Sequence, residues 1–193
     1  LVTGSVSNAL VSMTASGDPD SSDDLADTIT IGGSVSNSTV YAGAGNDLMS
    51  VAGAVIGGAL YGGSGNDSVV VSSSLGGLVD LADGNDSVSA TTLSAATLLG
   101  GSGNDTLTIA GTALSSSVVG GFGTDVITVT TALNNSTVYG GQPSDGSSVL
   151  DGNDTISVGA ASAAAIYGNY GDDRLLVGGN ATATSLFGGE GND

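Results

Sequence analysis

Apolar residues recur with a period of two in short runs along the chain: Ile29/Ile31, Met49/Val51, Val69/Val71, Leu107/Ile109, Ile127/Val129, Ile156/Val158 and Leu175/Val177. Val88/Ala90 is the weakest pair, and the residues between are mostly Ser or Thr. Such alternation predicts a strand with one buried face. A second apolar cluster follows in each unit: Val40-Tyr41, Leu60-Tyr61, Leu98-Leu99, Val118-Val119, Val138-Tyr139, Ile166-Tyr167 and Leu186-Phe187. Between the two lie small residues with one larger one, such as Val35, Leu75, Leu93 or Leu114. The runs are too short, and too rich in Gly, Ser and Thr, to be helices.

The unit repeats. An aspartate precedes each alternating run, at 27, 47, 67, 86, 105, 125, 154, 173 and 193, and the steps are 19 or 20 residues except for one of 29. The long step carries an insertion at 142–151. A fixed period holding two strands predicts one coil of a parallel β-solenoid. The expectation is an all-β, right-handed solenoid of about nine coils over a single unit, 1–193, with insertions near 13–26 and 142–151. Leucine-rich repeats share the length, but their asparagine ladder and longer leucine consensus are absent.

Composition narrows the chemistry. The 193 residues include 34 Gly, 19 acids, one cation (Arg174) and no His, Cys or Trp. Without His or Cys there is no imidazole base, no thiolate and no ordinary zinc or copper site. One cation cannot hold a phosphate backbone, so nucleic acid is not an expected partner. No run reaches the length of a membrane span. The chain starts without Met or a basic leader, which reads as a processed or excised piece. A net charge of −18 suggests disorder, yet 39% of residues are hydrophobic. Such a chain can bury apolar surface only if its acids are neutralised.

The acids are confined. Nine are the repeating aspartates, and the others (Asp18, Asp20, Asp23, Asp24, Asp80, Asp83, Asp145, Asp151, Asp172 and Glu190) lie shortly before one of them. In a solenoid all fall along one edge. Coils stack at roughly 4.8 Å. Two carboxylates that close, at an effective dielectric of about 20, repel by roughly 3 kcal/mol. Eight such steps exceed a domain's whole stability of about 5–15 kcal/mol. At ordinary carboxylate pKa values all remain charged at neutral pH. Cations between the coils resolve this. The oxygens on offer are carboxylates and the carbonyls of Gly-Gly-x-Gly loops, an adaptable shell that suits Ca²⁺ better than Mg²⁺. Asp18–Asp24 reads either as an extra Ca²⁺ loop or as a solvated acidic insertion, and so do Asp145 and Asp151.

Gly62-Gly63-Ser64-Gly65-Asn66-Asp67-Ser68-Val69-Val70 and Gly100-Gly101-Ser102-Gly103-Asn104-Asp105-Thr106-Leu107-Thr108 resemble the nonapeptide of the RTX (hemolysin-type) calcium-binding repeats. Residues 120–128 match with Thr124 in place of Asn, and 188–193 match as far as they go. The resemblance implies Ca²⁺ between loops on successive coils, held by the motif aspartate and by loop carbonyls. Carried over, the sites comprise Asp27, which has the strand but no glycine loop; Gly43, Gly45 and Asp47; Gly62, Gly63, Gly65 and Asp67; Gly84 and Asp86; Gly100, Gly101, Gly103 and Asp105; Gly120, Gly121, Gly123 and Asp125; Gly152 and Asp154; Gly168, Gly171 and Asp173; and Gly188, Gly189, Gly191 and Asp193. Departures are Ala42 for the first Gly, Leu81-Ala82-Asp83 for Gly-Gly-x, and Asn169 for the second Gly. The motif on one edge only, at 19–20 residues per coil, resembles the calcium-dependent solenoids of large bacterial surface adhesins, one of them ice-binding.

No catalytic set is present, and an enzyme is not expected. A calcium-folded module belongs outside a bacterial cell, where Ca²⁺ is millimolar. The leading expectation is a structural protein of a surface fibril, sheath or S-layer. The alternatives are a stalk or ligand-binding segment of an adhesin, with cell-surface glycans as partners, and a secretion module of an exoprotein. Ice binding wants a regular Thr/Asn array, whereas the third loop position reads Ala44, Ser64, Asp83, Ser102, Phe122, Tyr170 and Glu190. The Tyr41/Tyr61/Tyr139/Tyr167/Phe187 column is either a stiffening stack or a lateral contact stripe. Because Gly4–Asn8 matches Gly33–Asn37, the chain end at Asp193 is nearly in phase with its start. That phase predicts head-to-tail stacking, with the Asp193 loop meeting Asp18–Asp27 of the next protomer.

Overall fold

The computed structural model describes residues 1–13, 25–143 and 151–193. Asp18, Asp20, Asp23, Asp24, Asp145 and most of both expected insertions lie outside these residues. The described residues form an all-β solenoid in which every strand pairing is parallel. The repeat sets the register: Ile29, Met49, Val69, Val88, Leu107, Ile127, Ile156 and Leu175 face one another in succession. Each begins one turn, so there are eight turns rather than nine. A partial turn precedes them, built from Val2, Val6–Ser7 and Leu10–Ser12. The 29-residue step leaves the stack in register, because Ile127 still pairs with Ile156; Gly140 and Gly141 stay hydrogen-bonded to the next turn, and Asp151 pairs with Gly123 on the same rung.

Both alternating runs turn one column inward. The first run buries Ile29/Ile31 through Ile156/Val158. In the second run Val40, Leu60, Val79, Leu98, Val118, Val138 and Ile166 are buried, while the neighbouring tyrosines point outward and are half-buried. Adjacent strand residues must diverge in this way. The outward rings stack: Tyr41 on Tyr61 at 4.6 Å, Tyr139 on Tyr167 at 4.9 Å, and Tyr167 on Phe187 at 4.9 Å. Asp80 interrupts the column between Tyr61 and Leu99.

The short third side buries Val35, Val55, Leu75, Leu93, Ala113, Leu133 and Ala161. The expectation for Leu114 was one residue out of phase: Ala113 pairs with Leu93 and Leu133, and Leu114 is 44% exposed. Size misled the assignment, because the interior narrows to an alanine there. Beside this side, successive turns pass through the left-handed region at Asn8, Asn37, Ala95, Ser115, Asn135, Ala163 and Ala183, with φ between 46° and 53°. Ser116 and Ser136 close this edge, their Oγ atoms accepting from Ala96 N–H and Ser116 N–H.

Candidate metal centre

The Gly-Asn-Asp turns place two side-chain ladders side by side along one edge. Asn46, Asn66, Asn85 and Asn104 each accept, through Oδ1, the N–H of the equivalent residue one turn later at 2.7–2.8 Å. These asparagines are exposed, and the ladder lies in the acidic turn instead of within a leucine consensus.

The aspartate ladder runs the other way. Oδ1 of Asp47, Asp67, Asp86, Asp105, Asp125, Asp154, Asp173 and Asp193 accepts the N–H of the aspartate one turn earlier, at 2.6–3.0 Å. Each intermediate aspartate is therefore donor to one neighbour and acceptor for the other. Asp47 through Asp173 are at most 5% exposed. Asp27 and Asp193, at the two ends, are half-buried and exposed.

The second oxygen faces inward. Oδ2 of Asp67, Asp86, Asp105, Asp125, Asp154 and Asp173 is buried without a hydrogen-bond partner. The first loop glycine lies directly against it: a Cβ on Gly62, Gly100, Gly120, Gly140, Gly168 or Gly188 would fall on Oδ2 of its own turn's aspartate. The same virtual Cβ also meets a carbonyl of the next turn, Leu81 for Gly62 at 3.0 Å and Gly168 for Gly140 at 2.7 Å. The inter-turn space thus holds an unsatisfied carboxylate oxygen and a backbone carbonyl. Among the described residues no three carboxylates converge, so the oxygen set is one carboxylate per turn completed by carbonyls. Hard oxygen donors with an uncompensated negative charge fit a divalent cation of Ca²⁺ type.

Burial raises the carboxyl pKa values first, and neighbouring carboxylates raise several further, against the lowering effect of the backbone N–H bond. Asp67, Asp105 and Asp173 are pushed up to about 6, Asp86 and Asp125 to about 7, and Asp154 to about 8. Without a cation, desolvation brings several of them close to neutral pH.

The remaining predicted residues are placed as follows. Gly43, Gly63, Gly101, Gly121 and Gly189 form one column, and Gly45, Gly65, Gly84, Gly103, Gly123, Gly171 and Gly191 another, all with left-handed φ. Gly152 follows Asp151 in the same turn and abuts Gly123. Ala82 (φ 68°) and Asn169 (φ 82°) hold the left-handed path without being glycine, and the register survives at both. Leu81 stands at the first-glycine position and is fully buried in the hydrophobic core. Sequence reading missed Gly140, which the insertion separates from Asp154. The apolar pair Val138-Tyr139 directly before it was the available signal.

Residues 30–53, 59–72 and 95–108 match the RTX calcium-binding nonapeptide repeat, in four copies. No curated protein sequence is detectably similar to the chain. The fold is similar to the crystal structure of a hyperactive, Ca²⁺-dependent, β-helical antifreeze protein from an Antarctic bacterium, with a TM-score of 0.54 and 19% identity over 100% of this chain and 83% of that one. The matched segments are calcium-binding repeats of RTX type, whose ion is Ca²⁺, and the structural likeness shows the β-helical fold.

Proposed function

We propose that the chain is an extracellular structural element, a solenoid rigidified by Ca²⁺ along one edge, that builds a bacterial surface fibril, sheath or S-layer by stacking end to end. The observation that carries the reading is the file of buried, partnerless Oδ2 atoms repeated turn after turn. Each ion would be held by the Oδ2 of one turn's aspartate together with carbonyls of the adjoining glycine loops, from Asp47 to Asp193. The ion supplies charge neutralisation and a cross-link between turns, and no step of chemistry is needed. The role is non-enzymatic.

End-to-end assembly extends this reading from one solenoid to a fibril. Electron microscopy of the chain with Ca²⁺ and with chelator tests this. Filaments or lattices that dissolve in chelator are expected, whereas isolated rods under all conditions refute assembly and favour an adhesin stalk. The structural neighbour is an antifreeze protein, but the third loop column here mixes Ser64, Asp83, Phe122, Tyr170 and Glu190, which breaks any regular hydroxyl array.

A further inference from the structure

The ladder has one place where the loop is made from two separate pieces of chain. Gly140-Gly141 follow the strand Thr137–Tyr139, and Asp151-Gly152-Asn153-Asp154 return after the insertion. Two carboxylates converge on that glycine pair. A Cβ on Gly140 would fall on Oδ2 of Asp154, and one on Gly141 would fall on the carboxylate of Asp151. In the uninterrupted loops the neighbour of the second glycine is instead a backbone carbonyl of the preceding turn, Gly43 for Gly63 and Gly101 for Gly121. Asp151 therefore adds a second carboxylate beside that of Asp154.

Its orientation is fixed from both sides. Oδ1 accepts Gly152 N–H at 3.1 Å, and Oδ2 accepts Tyr170 N–H of the following turn at 3.1 Å. The side chain bridges two turns, as a ladder aspartate does. It lies close enough to raise the pKa values of Asp125, Asp154 and Asp173, which sit in three successive turns. Asp154, 1% exposed, carries the partnerless Oδ2 beside it.

We propose that Asp151 is an auxiliary calcium ligand, and that the site it shares with Asp154 is the tightest in the ladder. The proposal rests on the calcium reading above. A second formal charge beside the ladder carboxylate strengthens a hard-cation site, since affinity follows ligand charge and rigidity. The same ion then staples both ends of the insertion to the stack. Asp83, at the equivalent loop position, makes the comparison: it is exposed, and its loop has the buried Leu81 where Gly140 stands here.

Native mass spectrometry in chelator-buffered Ca²⁺ reads the free Ca²⁺ at which the first ion is retained. Asp151→Ser, the residue of the regular loops at Ser64 and Ser102, is expected to raise that midpoint about tenfold or more, the range seen when a group supporting a metal site is removed. Asp83→Ser is expected to leave it in place. An unchanged midpoint for Asp151→Ser, or an equal shift for Asp83→Ser, overturns the proposal. If Asp151→Ser fails to fold in saturating Ca²⁺, Asp151→Asn decides, because it keeps an acceptor for Tyr170 N–H and loses only the charge. A wild-type chain that retains no Ca²⁺ at all defeats the calcium reading itself, a result distinguishable from a failed ranking.

Discussion

At the scale of single residues, the site depends on which atoms are absent. The first loop glycine is required for space: Gly100 lies under Oδ2 of Asp105 and the carbonyl of Gly120. The second is required for backbone conformation, and there Ala82 and Asn169 are exceptions, at φ 68° and 82°. A non-glycine residue in this region costs about 1–2 kcal/mol, so Ala82→Gly should stabilise the calcium-loaded chain by about 1 kcal/mol in a chemical denaturation curve. A loss of stability would show that Ala82's methyl group contributes packing that outweighs the strain. The aspartates differ in the same local way. Asp105 is 1% exposed, receives Asp86 N–H and donates to Asp125, whereas Asp83 is exposed. Asp105→Ala should therefore cost a few kcal/mol, since it orphans a buried N–H and removes a ligand, and Asp83→Ala should cost far less. Equal Ca²⁺ midpoints for folding in the two variants would sink the ranking.

At the scale of elements, each column is a one-dimensional stack in which a residue touches mainly its counterparts one turn above and below. The inward columns supply the hydrophobic term: Leu60, Leu98 and Ile166 are fully buried. The outward ring column adds to it. Tyr167 is sandwiched between Tyr139 and Phe187, with interplanar angles of 10° and 9°. Such pairs contribute about 0.5–1.5 kcal/mol each beyond area burial, so Tyr167→Ala should destabilise more than Tyr41→Ala, which breaks one stacked pair instead of two. If the column served only as a lateral contact, thermal melts of the two variants at low protein concentration would match each other and the wild type.

At the scale of the whole molecule, the acid edge couples folding to metal and to pH. The carboxyls of Asp86, Asp125 and Asp154 are raised mainly by burial to about 7, 7 and 8. Their pKa values exceed those of an unfolded chain, so the metal-free fold binds more protons than the unfolded state. Its stability is therefore greatest below about pH 4 and falls as pH rises through 6 to 8. In chelator, the far-ultraviolet β signal should weaken from pH 4.5 to pH 8, and Ca²⁺ at pH 8 should restore it, while Mg²⁺ should restore it poorly. A full β spectrum in chelator at pH 8 and low salt would refute the coupling.

The period, the parallel solenoid, the inward columns and the charged edge were all legible in the sequence, because each residue type recurs at one position per turn and a one-residue slip would put every apolar side chain outside. The need for cations was legible from charge, since so many carboxylates at strand spacing require counter-ions, and Ca²⁺ from the oxygen ligands of the glycine loops and the RTX-like nonapeptide. The finer distinctions waited for the fold. Whether Val40 or Tyr41 points inward, and whether Ala113 or Leu114 fills the third side, depends on register in space, which composition does not encode. The division of labour within each carboxylate, Oδ1 to a backbone N–H and Oδ2 to the interior, depends on how adjacent turns superpose. Gly140 and Asp151 join the site only because the chain, after its insertion, returns to the rung it left. That coincidence is a property of three-dimensional closure, and no spacing along the sequence expresses it.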